Sequence, residues 1–554
     1  MKYISLFLIV GIASCSQQQK YDTIIRNGMI YDGNGEKPYK ADIAINADTI
    51  AFIGDLKNAS AKNEIDAGGK AVAPGFINMM GHSEESLFQD GRAQSDIRQG
   101  VTTEIFTELS FGPLNAQMKE QLQKGQGDIK YPVTWNTLGE YMYTLEHKGI
   151  SCNIASFVGA GTIRQYVIGE DDKTPTAQQL DSMKILVDTA MQEGALGLTC
   201  ALIYPPDNFA KTSELVELAK EASKYGGTYI SHIRSEGNQL IPAINEIITI
   251  AKEANIPVEI CHLKAAGKDN WNKMDSVIQI VENARKQGID ITADMYTYTA
   301  AATGLTSCFP PTLQDGGFGK LRERLQDPVI RKQMIAAMHT NANNWENLYY
   351  GSGSPDNILL LAFKQDSLKK FTGKTLTEVA KMRGTSPEET AMDLIIQDST
   401  RVGVAYFLMD ENNIKKEIIL PWVSFGSDEA SYTPEGVFLK SNAHPRAYGN
   451  FARVIGKYSR DEKLMPLQQA IYKLAKLPAT HLKLQKRGEL KVGNYADIVI
   501  FDADRVEDHA TFQKPHQYAT GVSDVFINGM QVLKNNEPTG ASPGRFLKGA
   551  GYKK

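Results

Sequence analysis

The chain has 554 residues, 42% of them apolar, which is enough to fill one large core and a smaller one and excludes disorder as a description of the whole. Lysine plus arginine nearly balance aspartate plus glutamate, and the formal net charge is -4. Composition therefore gives no basis for a nucleic acid or an acidic surface as partner, and the expected ligand is small.

In chain order, Lys2, a short apolar run beginning at Ile4, and Ile12-Ala13-Ser14 stand before Cys15. The run is too short for a spanning helix, which needs ~20 apolar residues, and no later stretch reaches that length. The pattern resembles a bacterial lipoprotein signal. It implies removal of residues 1–14, a lipid on Cys15, a polar tether over 15–20, and an exported protein on the periplasmic or cell-surface side of a membrane. An ordinary cleaved signal or a chance apolar start is the alternative. The other cysteines, Cys152, Cys200, Cys261 and Cys308, form no Cys-x-x-Cys pair and are read as buried thiols.

Residues 21–70 predict short alternating strands at 22–26, 29–31, 42–45 and 49–54, with a turn at Asn27-Gly28. Residues 482–554 predict two more, at 496–502 and 522–528. Neither end closes a core alone. Between them, over 71–481, eight apolar runs alternate with helical patterns: 76–80, 102–108, 153–158, 195–202, 228–232, 258–262, 289–295 and 423–428. Eight such units predict a parallel α/β fold, a TIM-like (β/α)8 barrel, with chemistry at the C-terminal strand ends. The stretch of about 305–420 is too long for a βα connection. Its helical patterns, at 329–338, 376–382 and 387–397, make it a structured insertion before the last strand, expected over the mouth.

Several predicted strand ends carry groups that bind metal or move protons: Met80 and His82, Glu108, His232, His262 and Asp428. Two histidines and a carboxylate are an accepted set for a catalytic zinc with an open position, so Glu108, His232 and His262 are the expected ligands. Such a zinc acidifies water and polarises a carbonyl. Asp428 is then the expected general base and acid. The alternatives are a pairing of Glu108 with Arg234 or Lys264 across the mouth, and a turn role for Asp428.

Many ordered motifs carry a resemblance. They include Pro74-Gly75-Phe76-Ile77, Gly100-Val101-Thr102-Thr103, Tyr204-Pro205-Pro206, Ser231-His232-Ile233-Arg234-Ser235-Glu236, His262-Leu263-Lys264, Asp294-Met295-Tyr296-Thr297-Tyr298, Gly426-Ser427-Asp428, His444-Pro445-Arg446 and Pro515-His516-Gln517-Tyr518. With them the chain resembles the N-acyl-D-amino-acid deacylase (D-aminoacylase) branch of the amidohydrolase superfamily. The resemblance implies a composite β-sandwich made from both chain ends, one zinc per chain at His232 and His262, and Asp428 as acid/base. It also implies hydrolysis of a small N-acylated amino acid to a carboxylate and a D-amino acid. Lys264, Tyr298 and Arg446 match positions associated with the substrate end, and Tyr204 is a candidate donor to the acyl carbonyl.

Two departures stand out. The family's His-x-His aligns with Met80-Gly81-His82, and its strand-two cysteine ligand aligns at or beside Leu109. A second metal site is therefore not expected, and Glu108 is expected to replace the cysteine. His82 is read first as a hydrogen-bonded histidine, then as a leftover ligand or substrate contact. Two other functions fit the same chain: an amidohydrolase for a cyclic amide or a D-residue dipeptide, and a catalytically silent tethered binding protein.

Overall fold

A computed structural model of the chain describes residues 20–553. The expected signal and the lipidated Cys15 lie outside these residues. Lys20, the last residue of the expected tether, already belongs to a strand, Lys20–Ile30. No helix among the described residues is long and apolar enough to cross a membrane.

The two chain ends build one hydrogen-bonded sheet of nine strands. Its hinge is Ala71–Pro74, which pairs in parallel with Lys20–Ile30 on one side and antiparallel with Ile498–Phe501 on the other. Ile25, Ile43, Val72, Ile498 and Phe526 meet in a single buried cluster, so each end covers apolar surface the other leaves bare. The predicted Asn27-Gly28 turn is instead a bulge within one strand. Asn27 has φ 55°, and the register with Tyr39–Asn46 slips between Ile25 and Gly28.

Eight parallel strands form the barrel: β1 Phe76–Gly81, β2 Val101–Phe106, β3 Asn153–Ser156, β4 Gly197–Ala201, β5 Thr228–His232, β6 Val258–Ile260, β7 Ile291–Met295 and β8 Val423–Phe425. Every residue of these strands is buried, as expected where helices cover a parallel sheet. The ladders run as two arcs, and hydrogen bonds join both seams. Asp428 N–H donates to Met80 O at 2.8 Å and His82 N–H to Glu429 O at 3.0 Å, while Leu196 N–H reaches Ser156 O at 2.9 Å. Covering helices are cut to length by local signals. Ala177–Glu193 opens with a reciprocal Thr176/Gln179 capping box and ends on Gly194 at φ 112°.

Between β7 and β8 the chain makes a body with its own core, including Leu305, Phe371 and Tyr406. Its helices Pro328–Met338, Leu376–Arg383 and Pro387–Asp398 pack on a three-stranded antiparallel sheet. That sheet, from Ala300–Gly304, Gly403–Phe407 and Ile358–Ala362, is absent from the sequence expectation and starts before residue 305. Thr303, Leu361, Arg401 and Val404 from this body line a cavity of about 520 Å³ over the C-terminal ends of the barrel strands.

Candidate metal centre

The convergence begins with three residues just past their strands in left-handed backbone: Glu108 after β2 (φ 64°), His262 after β6 (φ 34°) and Asp428 after β8 (φ 50°). Such conformations cost L residues of order 1–3 kcal/mol and persist where neighbours over-determine them. Each N–H is held from another strand: Glu108 by Thr199 Oγ1 of β4 at 2.8 Å, His262 by Asp294 Oδ1 of β7 at 3.0 Å, and Asp428 by Met80 O of β1 at 2.8 Å.

Glu108 Oε1 lies 2.8 Å from His232 Nδ1 and 3.1 Å from His262 Nε2, and the two nitrogens are 2.8 Å apart. These three atoms are the group among the described residues that can hold a metal ion. The fit is good in donor type and in spacing. A tetrahedral zinc with bonds of ~2.1 Å has ligand–ligand edges of about 3.4 Å, slightly wider than this triangle. The alternative pairing of Glu108 does not occur, because Arg234 is held by Glu246 at 2.8 Å and Lys264 by Glu236.

Glu236 stands behind the triangle. Its Oε1 is 2.9 Å from His262 Nδ1, within bonding distance of Lys264 Nζ, and 3.7 Å from His232 Nε2. With Nδ1–H donated to Glu236, the Nε2 lone pair of His262 faces the triangle, the usual orienting role of a carboxylate behind a metal-ligating histidine. Burial resists the charge on Glu108, yet the two histidines hold its pKa well below the ordinary carboxylate range. Burial and Lys264 disfavour protonation of His262, but Glu236 and Glu108 outweigh them and raise it to about 10. A cation must displace such protons, so its affinity falls as pH falls.

Asp428 is held at both oxygens, by Arg446 at 2.8 Å and by His82 Nε2 at 3.2 Å. Burial opposes its charge, and Arg446 and His82 nevertheless lower its pKa. His82 is a hydrogen-bonded histidine that also lies 3.8 Å from Glu108 Oε2. Arg446 is buried with its guanidinium 4.3 Å from the Tyr296 ring centroid, and its Nε and Nη1 have no hydrogen-bond partner among the described residues.

Glu108, His232, His262, Asp428, His82, Lys264, Arg446 and Tyr204 all line the one cavity. Tyr298 does not. The chain leaves β7 at Met295, Asn450 takes the Thr297 N–H at 2.8 Å, and Tyr298 tucks under Arg453 beside Asp508. Tyr296 takes the cavity position expected of Tyr298. Met80 is fully buried in an apolar cluster with Ile105, Ile230 and Cys261, whereas Leu109 is half exposed. Sequence reasoning missed Glu236 and Tyr296, although both stand inside the quoted motifs; the spacing of Glu236 four residues after His232 was the available signal.

A sequence model of the amidohydrolase family matches residues 63–533. The chain belongs to the amidohydrolase family. This amidohydrolase is a metal-dependent enzyme of C–N bonds other than ordinary peptide bonds. It is 29% identical over 539 residues to D-aminoacylase of Alcaligenes xylosoxydans xylosoxydans, covering 96% of this chain and 99% of that one. The crystal structure of N-acyl-D-glutamate deacylase from Bordetella bronchiseptica, complexed with zinc and a phosphonate mimic of the tetrahedral intermediate, matches with a TM-score of 0.80. Identity there is 26%, over 96% of this chain and 100% of the other. A D-aminoacylase structure matches with a TM-score of 0.78 and 29% identity, over 95% and 100% of the two chains. Its binuclear metal centre is described in terms of one-metal activation and second-metal attenuation.

Proposed function

We propose that this amidohydrolase deacylates N-acyl-D-amino acids, releasing a carboxylate and a free D-amino acid, with one zinc held by Glu108, His232 and His262. The observation that carries the reading is the triangle of donors at the floor of the cavity, in a chain similar over nearly its whole length to D-aminoacylase. Met80, in place of a first-strand histidine, supports a single metal.

Zinc bound there supplies Lewis-acid polarisation of the scissile carbonyl and acidification of water. Asp428 carries the proton. Kept ionised by Arg446 and His82, it accepts the proton of the attacking water and returns it to the amide nitrogen as the C–N bond breaks. Arg446, a cation on the cavity wall, is the candidate for the α-carboxylate of the substrate, a group that a planar guanidinium suits. Glu236 and Lys264 keep the His262 ring oriented. Tyr204, whose hydroxyl now donates to Thr303 Oγ1 at 2.7 Å, can instead donate to the acyl carbonyl.

The test is a panel of N-acetyl-D- and N-acetyl-L-amino acids, with hydantoins as cyclic amides, offered to the zinc-loaded enzyme. Release of free amino acid from the D-series alone is the expected result. Turnover confined to L-substrates or to cyclic amides would remove this reading.

A further inference from the structure

Besides its histidines, the cavity is lined by three cations: Lys264, Arg446 and Arg401. The first two already face carboxylates, Glu236 and Asp428. Arg401 faces none among the described residues. Itself exposed, it sits on the loop between the helix Pro387–Asp398 and the strand Gly403–Phe407, and its backbone carbonyl takes the Leu305 N–H at 2.8 Å.

Its side chain is nonetheless positioned. The guanidinium lies 4.7 Å from the Tyr204 ring centroid, and Nη2 donates to Thr303 Oγ1 at 2.8 Å. The Tyr204 hydroxyl donates to the same oxygen, so one threonine holds both partners of the stack. Tyr204 in turn stands edge-on to His232, ring centroids 5.3 Å apart. Arg401 is thus a fixed plane, two ring contacts from a residue of the donor triangle, with most of its five N–H donors free. The neighbouring wall of the insertion is apolar (Ala301, Ala302, Leu361 and Val404) and offers no competing receptor for an anion.

We propose that Arg401 binds a second carboxylate of the substrate, so that dicarboxylic N-acyl amino acids are the preferred class. This rests on the deacylase reading, in which the deeply buried Arg446 takes the α-carboxylate and leaves the outer cation for another acid group. That group belongs either to an acidic side chain or to a dicarboxylic acyl chain. Both present the same planar anion, which an arginine fork binds through two parallel hydrogen bonds.

The experiment compares kcat/KM of the full zinc-loaded chain for two matched pairs, N-acetyl-D-glutamate against N-acetyl-D-glutamine and N-succinyl-D-alanine against N-butyryl-D-alanine. One pair should show a preference for the dicarboxylate of about tenfold or more, the scale of a charged hydrogen bond. Arg401→Gln should collapse that ratio, chiefly through KM, and Arg401→Lys should keep part of it. The responding pair identifies the source of the carboxylate. A ratio unchanged in Arg401→Gln, or no preference in either pair while the neutral members are hydrolysed, overturns the role of Arg401 and leaves the deacylase reading intact. Hydrolysis of no member of either pair overturns both.

Discussion

Asp428 has two partners on two oxygens, and that division sets its chemistry. Arg446 and His82 together keep a buried carboxylate ionised, which is the form that can accept a proton. The consequence for pH has a definite sign. A depressed pKa places the protonated, inactive form of Asp428 at low pH, so the acid limb it imposes on kcat/KM lies low. Removing the His82 contact takes away a force that lowers the pKa, which must then rise. His82→Asn, assayed with zinc kept saturating, should move the acid limb to higher pH. An acid limb that stays in place, or moves down, would show that His82 does not tune Asp428.

At the scale of elements, the site is made by strands that stop early. The apolar runs at 102–108, 258–262 and 423–428 read as strands to their last residue, yet the ladders end at Phe106, Ile260 and Phe425. Glu108, His262 and Asp428 then turn into left-handed backbone. All eight barrel strands were legible because a strand buried on both faces is a continuous apolar run. The final turns were not, because residue type carries hydrophobicity and not φ. Tyr298 was expected from the resemblance alone; the strand ends at Met295, and past it Tyr296, not Tyr298, lines the cavity. In the insertion, Ala300–Gly304 lacks the aromatic and β-branched residues that mark a strand, apart from one threonine, and its pairing with Gly403–Phe407 is set by long-range contact. The convergence of Glu108, His232 and His262 was legible, since the C-terminal ends of β2, β5 and β6 face one mouth of the barrel.

Across the whole molecule, a buried polar network fastens the nine-stranded sheet to the barrel. Arg487 pairs with Asp497 and donates to Asn528 Oδ1 at 2.8 Å; Asn528 Nδ2 reaches Asn153 Oδ1, at the start of β3, at 2.8 Å. The Asp497 carbonyl also takes the Gly75 N–H at 2.9 Å, immediately before β1. Asp497→Ala leaves a buried guanidinium uncompensated, a loss of about 3–5 kcal/mol. Sheet and barrel should then unfold together at a lower temperature, with tryptophan fluorescence and far-UV circular dichroism changing in one transition. Two separated transitions would mean that the sheet folds as an independent unit.

All of this architecture serves three atoms held about 3 Å apart at the cavity floor. Their role is tested most directly by the zinc content of the purified chain and of its Glu108→Ala variant, after reconstitution and removal of loose metal. The expected result is about one zinc per parent chain, bound by two histidines and one carboxylate, and a large loss in the variant. Equal zinc in both proteins would contradict it by removing Glu108 from the ligand set, and a parent that takes up no zinc would contradict the metal centre itself.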